Sequence, residues 1–353
     1  MKNLFLIILI LKCLNINSQS KKINTTVDER MELITTVQYL SGYFLLTQAD
    51  INYTKDIDTY FKDYINHEVI GLIQDIQNDF FNFDKVPMIM YHYDFPGFNL
   101  KHEFSIKEQS QIKFEKNKDK IQQFFVELKD FYEVTNFHQF YKNHKELYNQ
   151  LIENVQSEIE KHDIVKIMET HYGLEQQSYN IILTPLLHDG GFATRIQSKV
   201  GTDLFAIIGP SENSRAVPYF DPNRLLKDYI IHEFSHTFCN PLVDKFFDEL
   251  EKDACLLNPI KEAMKKQAYS TWKSCLYEHL VRANEVILTE EILGSKTASK
   301  LYIDFYENGR FIYLKGLVPL IKKYKSNRNT YKNLEAFMPE IASYLHAEKE
   351  KCN

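Results

Sequence analysis

Apolar residues recur at helical spacing through the first half of the chain, as in Leu33, Val37, Leu40 and Phe44 and again in Ile65, Val69, Leu72 and Ile76. The pattern predicts mostly helix from Asp28 to about Lys161. An irregular stretch from Val86 to Leu100, carrying Pro87, Pro96 and Gly97, interrupts it. Tyr91, His92 and Tyr93 sit in that stretch, where aromatic packing is the expected role and a reach into a cleft the alternative. The pattern then changes. Tyr179 to Leu187, Phe192 to Val200 and Leu204 to Ile208 are short runs rich in Ile, Leu, Phe and Thr, separated by Gly190, Gly191 and Gly201. They predict a small sheet, antiparallel or mixed, with Phe192 to Lys199 as a candidate edge.

After that sheet, Asp221 and Pro222 make an N-cap and first-turn pair for a helix. Leu226, Ile230, Phe234 and Phe238 form its apolar stripe, and Asn240 and Pro241 are expected to end it. Further helices are predicted over Val243 to Leu257, Thr271 to Leu293, Ala298 to Tyr324 and Leu334 to Lys349. The fold class is therefore α+β, mostly helical. The expected organisation is a leader (1–20), an N-terminal helical region (21–165) and a C-terminal region (166–353) that holds the small sheet and the capped helix. No internal repeat is present.

Composition narrows the function classes. With 44% hydrophobic and 25% charged residues and only 11 Gly and 10 Pro, the 353-residue chain is globular rather than collagenous or low-complexity. Met1 to Ser20 opens with Lys2, runs apolar from Leu4 to Leu11 and ends in a polar stretch, the layout of a secretory leader. Removing it with Lys2 and Lys12 takes the formal charge from −6 to −8, which disfavours nucleic acid and anionic membranes as partners. No second long apolar run appears, so no integral membrane segment is expected after the leader, and the compartment is exported, periplasmic or extracellular. Cys239, Cys255, Cys275 and Cys352 remain without a CxxC spacing. Cys255 with Cys275 is the first pair to test as a disulfide, with buried thiols as the alternative.

The chemistry resides in His232-Glu233-Phe234-Ser235-His236. Two histidines four residues apart lie one turn apart on one helix face, where both imidazoles can reach one Zn²⁺. Glu233, beside the first, is placed to act as general base on a metal-activated water. The HExxHxxGxxH extension is absent, because Cys239 and Leu242 occupy its Gly and third His positions. A downstream carboxylate is expected instead as third ligand. In the helix Thr271 to Leu293, Glu278, Arg282 and Glu285 share a face. Glu278 is the first choice, Arg282 its orienting partner and Glu285 the runner-up. His279, Tyr277, Tyr219 and His188 are candidates for stabilising an oxyanion.

The arrangement resembles the gluzincin metallopeptidases, whose HExxH helix is followed by a second helix bearing a glutamate ligand. The resemblance implies His232 and His236 as ligands, Glu233 as base and Glu278 as third ligand, although the step from His236 to Glu278 is longer than in the best-known gluzincins. More closely, the segments Val27 to Leu33, the HEFSH core with Asn240-Pro241-Leu242, and Tyr277 to Ala283 resemble an exported bacterial family catalogued as a domain of unknown function. The implied function is zinc-dependent hydrolysis of a peptide or protein substrate by a zincin-like C-terminal half covered by a helical layer. The competing readings are a catalytically inactive zincin-shaped protein that binds peptide or cell-surface material, and a zinc hydrolase of a non-peptide amide. Oligomeric state, substrate and cleavage preference stay open.

Overall fold

Asp28 opens the first helix as its sequence predicts: the carboxylate accepts from the backbone N–H groups of Arg30 and Met31, satisfying two donors that a helix start leaves unserved. The computed structural model describes residues 21–46, 51–79, 83, 85–101, 116–212 and 216–349. The leader 1–20 and Cys352 lie outside them. The N-terminal region is a helical layer of α1 (Glu29–Leu40), α2 (Asn52–Tyr60), α3 (Glu68–Asp79), α4 (Lys85–Met90), α5 (Lys118–Val134), α6 (Phe137–Asn143), α7 (Lys145–Ile159) and α8 (Ile164–Tyr172). Phe44 lies beyond the end of α1 and is 68% exposed, so the expected stripe stops at Leu40. Tyr91 stacks on Phe205 at 4.2 Å and Tyr93 on Phe125 at 3.7 Å, which gives both rings the packing role.

The sheet has four strands in the order β1-β2-β4-β3: β1 (Ile23–Thr26), β2 (Ser178–Leu183), β3 (Gly191–Gln197) and β4 (Thr202–Ile208). It is mixed. β1 and β4 flank β2 in parallel, with Ile23 opposite Tyr179 and Ser178 opposite Asp203, while β3 runs antiparallel to β4 with Phe192 opposite Ile207. Two predicted strands are shorter than their apolar runs. Beyond Leu183 the chain turns, with Leu187 N–H donating to Thr184. After Gln197 the Ser198 N–H bonds the Gly201 carbonyl and closes the hairpin. β3 is an edge strand, as its sequence suggested. β1 comes from the N-terminal region and completes a sheet otherwise built from the C-terminal one, and one continuous apolar core runs through both.

The capped helix departs from expectation at its end. It enters through a short turn, Pro222–Arg224, and a wide π-type turn, Leu225–Ile230, and then α9 (Ile231–Lys245) continues straight through Pro241. Proline has no N–H for the carbonyl four residues back. That carbonyl belongs to Thr237, and the Arg195 guanidinium of β3 donates to it at 3.3 Å. A partner from the sheet thus lets the helix pass its proline. Downstream lie α10 (Trp272–Leu293), α11 (Ser295–Ile303), α12 (Leu314–Ser326) and α13 (Leu334–Lys349).

Two other predicted helices are broken. Val243 to Leu257 divides into α9's last residues, a turn at Phe247–Leu250 and a tight 3₁₀ stretch, with non-helical backbone at Asp253. Ala298 to Tyr324 breaks between α11 and α12, where Arg310 has a φ of 59°. That break brings Phe305 and Phe311 onto the Arg282 guanidinium, 4.4 and 4.6 Å from the ring centroids, a cation–π contact no periodicity announces. Cys239, Cys255 and Cys275 are free thiols, so the Cys255–Cys275 disulfide does not form. Among the described residues no helix is long and apolar enough to cross a membrane.

Candidate metal centre

The apolar stripe of α9 fixes which way its polar face looks. Phe234 meets Tyr179 of β2 edge-on at 5.2 Å, and Phe238 stacks on Tyr172 of α8 at 4.2 Å. His232 and His236 therefore project away from the sheet, toward α10, whose start is fixed by a Thr271 and Ser274 capping box. Glu278, Arg282 and Glu285 line the facing side of α10.

The histidine Nε2 atoms stand 3.1 Å apart. Glu278 completes the group, with Oε1 3.2 Å from His236 Nε2 and Oε2 3.7 Å from His232 Nε2. His232 Nδ1 lies 2.9 Å from Glu285 Oε2, and His236 Nδ1 lies 3.1 Å from Asn240 Oδ1. Both Nδ1 atoms face acceptors and carry the ring protons, so both Nε2 atoms present lone pairs. With both imidazoles neutral, two lone pairs and a carboxylate converge, a set that draws in a cation, either a proton on His236 Nε2 or a metal ion in its place. The donor separations bracket the roughly 3.3–3.4 Å that a tetrahedral zinc centre with bonds of about 2.0–2.1 Å sets between its ligands. The donor set fits a divalent metal, and His232, His236 and Glu278 form a group that could hold one.

Electrostatics show the same pull on positive charge, which a proton on His236 answers and for which a metal ion would compete. Burial opposes charge on His236, but Glu278 outweighs it and pushes the imidazole up to about 9. Burial likewise opposes charge on Glu278, but His236, His232 and Arg282 hold its carboxyl well below the usual range. Arg282 stands 3.3 Å from Glu278 Oε2. Tyr269 places its hydroxyl against the same Glu278 and Arg282 pair.

Glu233 is buried beside the two imidazoles, and burial raises its carboxyl above the ordinary value against the pull of His232 and His236. β3 sets its surroundings. A Cβ at Gly191 would stand 3.0 Å from Glu233 Oε1 and 3.2 Å from its Cγ, so only glycine lets the edge strand come this close.

The other sequence candidates have partners of their own. Tyr277 donates to Asp244 of α9. His279 donates through Nδ1 to the Cys275 carbonyl at 2.9 Å, with its ring against Phe311 and Tyr313; burial pushes it down to about 4. His188 lies beside Phe192 on the loop into β3, and Tyr219 forms a backbone bridge with Glu212. Glu285 joins the His232, His236 and Glu278 group from behind, on His232 Nδ1. Sequence reasoning missed Asn240, although its place four residues after His236 was readable, and missed Gly191 and Tyr269, whose roles depend on tertiary approach.

A second group, His67 with Glu127 and Asp130, also lies within metal-binding reach of itself. There His67 Nδ1 accepts from the Val69 N–H at 3.2 Å, which puts the ring proton on Nε2, facing Asp130 at 3.1 Å. That nitrogen is a donor, so the cluster is satisfied without a metal.

A family model described as "Domain of unknown function (DUF4932)" matches residues 23–344. No curated protein and no solved structure matches the chain.

Proposed function

The chain belongs to this DUF4932 family, and we propose that it is an exported zinc-dependent metallopeptidase with a zincin-like active site. The observation that carries this reading is the convergence of two histidine Nε2 atoms and the Glu278 carboxylate, with both Nδ1 atoms already engaged. His232, His236 and Glu278 would hold the zinc. A zinc ion there supplies Lewis acidity toward a carbonyl oxygen and toward water.

The protein's own residues do the rest. Glu233 takes the proton of the attacking water and passes it to the leaving amine, a task suited to a buried carboxylate whose affinity for protons is raised. Glu285 and Asn240 hold the two imidazoles in one tautomer and orientation. Arg282 keeps Glu278 ionised and aimed. Along the β3 edge the backbone groups of Gly191 and Ala193 face away from β4, because alternate residues of an antiparallel pair bond outward. An extended peptide could pair there with its scissile bond over Glu233. The buried Glu233 favours this enzyme reading over an inactive binding protein, since binding alone has no use for a base beside both histidines.

The test is zinc content per chain by elemental analysis on residues 21–353, for wild type and for Glu278→Ala and Glu233→Gln, with peptide hydrolysis measured alongside. About one zinc in wild type, lost in Glu278→Ala, and zinc without hydrolysis in Glu233→Gln is the expected pattern. Wild type that takes up no zinc after refolding with added metal would sink the reading. A panel of peptides and cell-wall amides separates peptidase from amidase action.

A further inference from the structure

Arg195 stands on β3 four residues after Gly191, on the same strand face and about 13 Å along it. Just as Gly191 rests against Glu233, Arg195 rests against Thr237, one helical turn further along α9. Its guanidinium therefore lies between the edge strand and α9, one helical turn beyond Glu233. The charge is half-buried, and among the described residues no carboxylate lies within ion-pair distance of it. Its neighbours are neutral: the Thr237 carbonyl and Gln197 Oε1, each at 3.3 Å. By contrast, Arg224 is paired with Asp189 and Asp228, and Arg282 with Glu278.

A guanidinium has five N–H donors in a fork that matches a carboxylate. Two long contacts to neutral oxygens leave most of that capacity unspent. Burial without a counter-ion is costly, and here it pulls the guanidinium below its ordinary proton affinity. An anion arriving along the β3 edge would relieve that cost.

We infer that Arg195 recognises a carboxylate of an extended peptide lying along β3, about two to four residues from the scissile bond and on one side of it only. The inference rests on the peptidase reading for the location of the scissile bond. The carboxylate can come from an Asp or Glu side chain or from a free C-terminus, so the substrate class is an acidic peptide.

The probe is a randomised N-acetylated octapeptide pool, supplied in C-terminally amidated and free-acid forms and read by mass spectrometry. The zinc-loaded wild type is expected to enrich Asp and Glu at least fivefold at one position on one side of the cut. A gain confined to the free-acid pool would identify the C-terminus as the source. Arg195→Met should lose the enrichment, read as the ratio of acidic to neutral peptides cut within the same variant, and Arg195→Lys should keep part of it. Arg195→Glu should favour Lys and Arg instead. No enrichment in wild type, or enrichment unchanged in Arg195→Met, overturns the inference.

If no peptide is cut, the peptidase reading fails and a binding arm still decides. Zinc-loaded Glu233→Gln, with and without Arg195→Met, is offered the same pools and the captured peptides are sequenced. Capture without acidic enrichment, or no capture, overturns the inference. Zinc content and the thermal melt of each variant separate lost recognition from lost folding, and Arg195→Lys, which keeps a donor for Thr237, covers a Met variant that does not fold.

Discussion

Glu285 reaches across from α10 to place Oε2 2.9 Å from His232 Nδ1, and it does so from a position only 1% exposed. It is therefore a partner of the histidine, on the side of the ring away from the proposed ion. Through it α10 acts on α9 twice, once directly with Glu278 and once behind His232. Glu285→Ala should weaken zinc binding about 10- to 100-fold, less than Glu278→Ala, and Glu285→Gln should retain more affinity than Glu285→Ala. Competition with a fluorescent chelator measures all three.

Glu278 also neutralises Arg282, which is enclosed by Phe305 and Phe311. Removing the carboxylate leaves a buried charge without its nearest counter-ion, so metal-free Glu278→Ala should lose about 3–5 kcal/mol of stability in urea unfolding. The double variant Glu278→Ala/Arg282→Met should recover part of that loss. A double variant as unstable as the single one would contradict the pairing.

Gly191→Ala puts a methyl 3.0 Å from Glu233 Oε1. Either the strand or the carboxylate must move, while the three ligands keep their places. Zinc content should stay near one per chain, and kcat should fall about tenfold or more, since a base must lie within hydrogen-bond reach of the proton it takes.

The carbonyl that Pro241 cannot serve predicts a coupling. Arg195→Met should cost about 1–2 kcal/mol in the wild-type background. In the Pro241→Ala background Thr237 regains an intrahelical donor, and the same change should cost less. A double-mutant cycle by denaturant unfolding reads the difference.

Glu32 gives a pH dependence remote from the metal centre. Burial raises its carboxyl to about 8, against the hydrogen bond it accepts from Tyr53 at 2.5 Å, which in turn contacts Tyr148 at 2.7 Å. Its ordinary value is 4.5. Between these two values the folded state holds a proton that the unfolded state has lost, so this group lowers stability as pH rises from about 4.5 to 8. Glu32→Gln should remove that slope and be the more stable form at pH 8, by an amount on the order of 3 kcal/mol. Thermal melts across that range test the sign.

The HExxH pair and the Glu278–Arg282 step on α10 were legible because helical spacing alone puts those residues on one face. The small sheet was legible as antiparallel or mixed, but its first strand was not, since β1 is only Ile23–Thr26 and its partner is β2, far along the chain. The passage of α9 through Pro241 was hidden for a related reason: local chemistry says stop, and the reason to continue is an arginine on another strand. Glu285 could be placed on the right face but not assigned its task, because the choice between binding an ion and binding a histidine depends on which imidazole nitrogen it meets. The four oxyanion candidates shared polar chemistry, but the partners each side chain meets depend on the rotation of α10 and on the loop paths, which spacing alone does not fix.

The parallel pairing of β1 with β2 also sets a timetable. Asn24 bonds Asn180, 156 positions later, so at about 5–20 residues per second a ribosome takes roughly 8–30 s to deliver the partner strand. Until then the first strand has no sheet partner, and closing so long a loop is entropically slow. Assembly of the sheet under α9 therefore has to wait for residues beyond 180, and a fusion or truncation that disturbs Ile23–Thr26 should delay the same step from the opposite end of the chain.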